Sequence, residues 1–75
     1  MINELLIVDD DTPFRDRLSR SMQQKGFIVE KFSNYKDSLS RIMEKNFDFA
    51  IVDMRLEDGS GLELIKKIKK NNPST

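Results

Sequence analysis

"LLIVDDDTPF", residues 5–14, decides the fold. Four apolar residues run directly into three consecutive aspartates, and a Thr-Pro pair follows. A short, continuous apolar run suits a strand buried on both faces, as in a parallel sheet. Three adjacent carboxylates repel one another, and none can pair with its immediate neighbours. Such a cluster calls for a helix to cap or a cation to hold. Thr12 followed by Pro13 reads as an N-cap and first helical position. Asp11 can take the cap instead, since acids favour helix N-termini. Asp9 and Asp10 are left at the end of the strand.

Downstream, Phe14, Leu18 and Met22 fall at helical spacing, with Ser21 on the same face. Gly26 stops that helix. "FIVEKF", 27–32, reads as a second strand. Ser33 or Asn34 caps a second helix in which Tyr35, Leu39, Ile42 and Met43 share a face. "FDFAIVD", 47–53, reads as a third strand and again ends on an aspartate. "EDGSG", 57–61, reads as a loop. A third helix carries Leu62, Ile65 and Ile68, with Leu64 beside them, and fades into the polar "NNPST". Met22 and Met43 are expected as core filler. Lys66, Lys67, Lys69 and Lys70 are expected on the solvated face of the third helix, near its C-terminus. The alternation of strands and helices predicts an α/β fold with a parallel sheet and right-handed crossovers.

Composition narrows the function. Seventy-five residues make one domain at most, in the size range where a single core is marginal. Thirteen basic residues balance thirteen acidic ones, which argues against a nucleic-acid surface of the usual basic kind. Cysteine and histidine are absent. That excludes disulfides, thiolate metal sites, His-based catalysis and most zinc sites. No apolar run approaches the ~20 residues of a membrane span. The N-terminus lacks the pattern of an export signal, so a cytoplasmic location is expected.

Asp9 and Asp10 end the first strand and Asp53 ends the third. Neighbouring parallel strands lie ~4.8 Å apart. If strands one and three are neighbours, the carboxylates converge on the sheet edge where open α/β folds bind ligands. Clustered carboxylates stay ionised together only with a cation. An oxygen-only donor set points to a hard ion, Mg²⁺ first. An EF-hand does not fit, because Phe14 and Arg20 stand where that loop, counted from Asp9, needs glycine and an acid. "GSG", 59–61, lacks the pattern of a phosphate loop and instead permits a tight turn.

Taken together, "LLIVDDD", "GF" at 26–27 and "AIVDMRLEDGSGLEL", 50–64, resemble the receiver domain of two-component response regulators in order and spacing. The acidic pair, the later lone aspartate and the D-x-x-x-x-x-G pattern from Asp53 to Gly59 carry that resemblance. "VDMRLEDGSGLEL" looks most like the RegA/PrrA/ActR redox-responding subgroup. The resemblance implies that Asp53 is the phosphoacceptor, taking a phosphoryl group from a sensor histidine kinase. It implies that Asp10 binds Mg²⁺ directly, Asp9 largely through water, and the backbone carbonyl of Arg55 as a further ligand beside Asp53. A receiver promotes its own phosphorylation and dephosphorylation and is not a conventional enzyme. Where many receivers have proline four residues after the acceptor, this sequence has Glu57.

The resemblance covers all of this sequence but roughly the first three-fifths of a receiver, whose strand order is 2-1-3-4-5. The expected fold is therefore a truncated flavodoxin-like (βα)3 unit over residues 1–75, with sheet order 2-1-3. The later strands, their Ser/Thr and Lys, and any output domain are expected to be absent. Strand three then becomes an edge and a template for pairing. A homodimer joined through that strand is expected, with the two copies antiparallel across a twofold axis. Three readings stay open: a phosphoacceptor, a kinase-binding module using Phe14 to Gln24 without chemistry, and a structural half-domain that self-associates.

Overall fold

The computed structural model describes residues 3–75; the first two residues of the expected 1–75 unit lie outside the described residues. In chain order the elements are β1 (Asn3–Val8), α1 (Thr12–Gln24), β2 (Phe27–Phe32), α2 (Tyr35–Ile42), β3 (Phe49–Val52), β4 (Arg55–Leu56), β5 (Gly59–Ser60) and α3 (Gly61–Asn71). β1, β2 and β3 form one parallel sheet in the order β2-β1-β3. This is the expected 2-1-3 arrangement.

β1 is central, and Leu5, Leu6, Ile7 and Val8 are all buried. Successive strand side chains point to opposite faces, so a strand covered on both sides shows no apolar alternation. Leu6 and Val8 join Ile42 of α2, Leu64 and Ile68 of α3, Phe47 and Leu56 in one cluster. Leu5 and Ile7 face the other side, where α1 packs on β1 and β2. Burying four aliphatic side chains contributes roughly 6–12 kcal/mol before entropy is counted. That is the scale of a domain's whole net stability, about 5–15 kcal/mol.

Several local expectations need correction. Asp11, not Thr12, caps α1: its side chain accepts from the Phe14 N–H at 3.1 Å. The inward stripe of α1 is Arg15, Leu18, Ser19 and Met22, and Ser21 is exposed. The four residues follow i, i+3, i+4, i+7, and Ser21 falls off that stripe. Asn34 rather than Ser33 caps α2, accepting from the Asp37 N–H at 2.8 Å. Buried Ser38 satisfies its hydroxyl on the Asn34 and Tyr35 carbonyls, at 2.8 and 2.9 Å. Met43 lies past the last turn of α2 and is 66% exposed, so it does not fill the core. In α3, Gly61, Leu64 and Ile68 are buried while Leu62 is exposed.

β3 is shorter than the sequence suggests. Phe47 is buried in the core but precedes the strand, and Asp48 holds the strand's entrance. Its N–H donates to the Glu4 carbonyl at 2.9 Å and its carboxylate accepts from the Glu4 N–H at 2.8 Å. "EDGSG" is not an open loop. β4 and β5 pair antiparallel, Arg55 with Ser60 and Leu56 with Gly59, which leaves Glu57 and Asp58 as the two-residue turn. Gly26 has φ +99°, a conformation that favours glycine, and it ends α1 as expected.

Candidate functional site

The β-ladder brings the aspartates together. Val8 pairs with Val52 on β3 and with Phe32 on β2. One step further, the Asp53 N–H donates to the Val8 carbonyl at 2.9 Å, and the Asp9 N–H to the Phe32 carbonyl at 3.0 Å. Asp9 and Asp53 therefore leave neighbouring strands side by side at the carboxyl edge of the sheet, with Asp10 next in the chain. One carboxylate oxygen each from Asp9, Asp10 and Asp53 lies within 4.8 Å of the others. Asp9 and Asp53 are partly buried and Asp10 is exposed.

The surroundings fix the backbone and leave the carboxylates unneutralised. Asp9 Oδ1 accepts from the Asp11 N–H at 2.9 Å, and Asp53 Oδ1 from the Arg55 N–H at 3.4 Å. Arg15 of α1 donates from Nη1 to the Asp9 backbone carbonyl at 3.2 Å, not to its carboxylate. Its Nε is buried without a hydrogen-bond partner, 3.7 Å from Asp16. Among the described residues, no lysine or arginine forms an ion pair with Asp9, Asp10 or Asp53. A hard cation shared at ~2.0–2.6 Å needs oxygens no more than about 4–5 Å apart. The three carboxylates meet that condition with oxygen donors alone.

Two positions the sequence reading treated only as loop residues prove to shape the site. An added Cβ at Gly61 would lie 1.8 Å from the Asp53 carbonyl oxygen. Only glycine lets the start of α3 come so close to the Asp53 backbone, and the Gly61 N–H donates to the Met54 carbonyl at 2.9 Å. Asp58, in the turn between β4 and β5, caps α2 from a distance. Its carboxylate accepts from the Tyr35 N–H at 2.7 Å and the Lys36 N–H at 3.0 Å, and these bonds lower its pKa below the ordinary value. Gly59 packs against the Tyr35 ring, where a Cβ would meet ring carbon at 2.7 Å. The docking of this hairpin on α2 is a long-range contact that no local pattern encodes. An open cleft of about 360 Å³ lies between this hairpin and the site, lined in part by Asp10, Asn34, Lys36 and Asp58.

Residues 5–75 match the response regulator receiver domain family. The chain belongs to that family. The receiver is similar to the photosynthetic apparatus regulatory protein RegA of Cereibacter sphaeroides, at 36% identity over 92% of this chain and 38% of RegA. It is similar to the acid tolerance regulatory protein ActR of Rhizobium meliloti, at 41% identity over 95% of this chain and 37% of ActR. The expected likeness to the RegA/ActR group is thereby met. The receiver thus spans under two-fifths of the length of these curated relatives. Among solved structures it resembles a response regulator from Burkholderia pseudomallei, described with a phosphorylated aspartic acid, a calcium ion and citrate. The TM-score is 0.90 at 29% identity, covering 97% of this chain and 43% of that one. No helix among the described residues is long and apolar enough to cross a membrane.

Proposed function

We propose that this chain is the phosphoacceptor part of a two-component phosphorelay, with Asp53 taking a phosphoryl group from a sensor histidine kinase. The observation that carries the reading is the convergence of the Asp9, Asp10 and Asp53 oxygens at the ends of β1 and β3. A carboxylate oxygen of Asp53 attacks phosphorus. The new O–P bond forms as the P–N bond of the donor phosphohistidine breaks, and the electron pair leaves with the imidazole. The ladder bond to Val8 and the contact with Gly61 hold the Asp53 backbone, and among the described residues its carboxylate forms no ion pair. Asp9, Asp10, Asp53 and the Arg55 carbonyl would hold Mg²⁺, which when bound offsets the negative charge gathered on the carboxylate and the transferring group. Catalysis of this kind is mostly positioning and electrostatics. The related Burkholderia pseudomallei structure, with a phosphorylated aspartic acid and a calcium ion, supports the reading.

The test is intact-mass spectrometry after incubation with acetyl phosphate and Mg²⁺, with Asp53→Asn alongside. A gain of one phosphoryl group that the variant loses supports the reading. No gain in protein shown to be folded overturns it for this chain.

A second reading has its own observation. Phe14 is an exposed aromatic at the start of α1, close in sequence to the acidic pair. A surface from Phe14 to Gln24 would bind a histidine kinase whether or not phosphoryl transfer follows. Kinase pull-down by Asp53→Asn, together with loss of labelling, separates binding from chemistry. Self-association also belongs to the proposal. β3 is an edge of the three-stranded sheet, and Phe49 and Ile51 on it are 49% and 40% exposed. Unpaired edges of this kind recruit a second copy, and we assign the homodimer to antiparallel pairing of two β3 strands. A concentration-independent monomer in sedimentation would overturn it. The proposed location is cytoplasmic, and neither nucleic acid nor membrane is a proposed partner of this segment.

A further inference from the structure

α2 and α3 pack side by side over the Leu6 and Val8 face of the sheet. A groove of about 520 Å³ opens between them, lined by Leu39, Met43, Lys67, Lys70 and Asn71. None of these residues belongs to the aspartate site. The apolar part of the groove is aliphatic and thioether, and Met43 is 66% exposed there. A methionine so placed adapts its unbranched chain to varied contacts.

One wall is cationic. Neither Lys67 nor Lys70 has an ion-pair partner among the described residues. The Lys67 ammonium stands 5.3 Å from the centre of the Tyr35 ring, which holds it at the rim. The acids nearby in sequence are already engaged. Glu63 lies 3.6 Å from Lys66, and Glu44, next to Met43, lies 3.4 Å from Arg41. A chain of zero net charge thus presents a groove that is apolar inside and positive along one side. Asn71 ties the far end, donating to the Ile42 carbonyl at 2.7 Å.

We propose that this groove docks an acidic amphipathic helix of a partner protein. Aliphatic anchors on one face of the helix would meet Leu39 and Met43, and its Asp or Glu residues would face Lys67 and Lys70. The α2 and α3 walls, 8 and 11 residues long, run roughly 12–16 Å at 1.5 Å per residue. That accommodates two to three turns of a helix laid in a groove, a common mode of peptide recognition. The contact area is at the small end for protein interfaces, so the complex is transient, with Kd on the order of 10–100 μM. The inference stands apart from the phosphoacceptor reading, because it uses different residues and needs no phosphoryl group.

The experiment is an NMR titration of the ¹⁵N-labelled 75-residue chain with a synthetic helical peptide carrying leucines at i, i+3 and i+7 flanked by glutamates. A lysine-for-glutamate version of the peptide and anionic phosphatidylglycerol vesicles are titrated separately. The expected result is saturable shifts at α2 and α3 amides with the acidic peptide alone. Lys67→Glu with Lys70→Glu should weaken that binding at least tenfold and transfer the preference to the basic peptide. Both lysines are exposed, so the fold is kept; Met43→Glu, also at an exposed position, gives an independent loss. Equal binding of both peptides, shifts located elsewhere, no binding at 1 mM peptide, or a response to the vesicles in place of the acidic peptide would overturn the proposal.

Discussion

Glu30 on β2 accepts from Arg41 Nε at 2.7 Å, from Arg41 Nη2 at 3.0 Å and from Lys45 Nζ at 3.0 Å, and Lys45 also reaches Glu4 at 3.1 Å. At the carboxyl edge of the same sheet, Asp9, Asp10 and Asp53 gather with no such cation among the described residues. Both clusters are carboxylates on strands or at strand ends. In the first, the chain supplies its own positive charge, and the group holds α2 to the sheet. In the second, the described residues supply backbone amides and no ion-pair partner. On the proposed reading, the charge that the second cluster lacks is the one a bound Mg²⁺ would supply. The difference is that one cluster is satisfied within the described residues and the other is not.

The sharpest way to break this comparison is to neutralise one member of each cluster. Asp53→Asn should abolish phosphoryl uptake while leaving the metal-free protein as stable as before or more so, because it removes a like charge. Added Mg²⁺ should raise the melting temperature of the unaltered chain and raise that of Asp53→Asn less, since a ligand bound only by the native state stabilises it. Equal Mg²⁺ effects on both proteins would show that the ion sits elsewhere. Next in size is Gly61→Ala. The new Cβ would fall on the Asp53 carbonyl, which is backbone and cannot swing aside. A cost of about 3 kcal/mol is expected by chemical denaturation, together with loss of Mg²⁺ binding. Gly59→Ala meets only the Tyr35 side chain, which can turn, so it should cost clearly less.

Glu30→Gln probes the satisfied cluster. Its hydrogen bond with Arg41, with help from Lys45, holds the Glu30 carboxyl at about 2, below its ordinary 4.5. The folded-state pKa is depressed, so its stabilisation is complete above pH 4.5 and is lost as the pH falls towards 2. The side chain is 26% exposed, and solvent screening reduces the contribution to about 1–2 kcal/mol. Stability measured across that window should fall in the unaltered chain and fall less in Glu30→Gln. Parallel pH profiles would mean the ion network contributes nothing to folding.

Much of this was legible in the sequence, and the parts that were not have a common cause. The unbroken run Leu5 to Val8 gave away a central parallel strand. Aspartates at the ends of two strands pointed to a cluster, and the strand order does bring them together at one sheet edge. Apart from the β4–β5 hairpin, read as a loop, the misreadings below were about which face or which neighbour. Met43 has the right spacing for the α2 stripe yet lies beyond the helix's last turn. Phe47 is apolar enough for a strand, but its burial comes from the core beneath α2 and α3. Glu30 and Lys31 look alike as charged residues within a strand, yet only Glu30 faces the helix that carries Arg41. Periodicity reports a residue's own element. It does not report which element comes to meet it.

The Asp58 cap tests that last point at the smallest scale. Asp58 lies 23 residues from Tyr35 in the chain, yet it occupies the position that a local N-cap would share with Asn34. If the long-range bonds hold the start of α2, Asp58→Ala should speed hydrogen exchange at the Tyr35 and Lys36 amides and leave Asp37, bonded to Asn34, nearly unchanged. Asn34→Ala should do the reverse. The Asp58 carboxyl is held below its ordinary pKa by these same amides. Its contribution is therefore present at neutral pH and should fade as acid protonates it, which exchange at those two amides can follow. Exchange that rises equally at all three amides in both variants would mean α2 opens as one unit. The hairpin after Asp53 would then be a passenger on α2 and not a clamp.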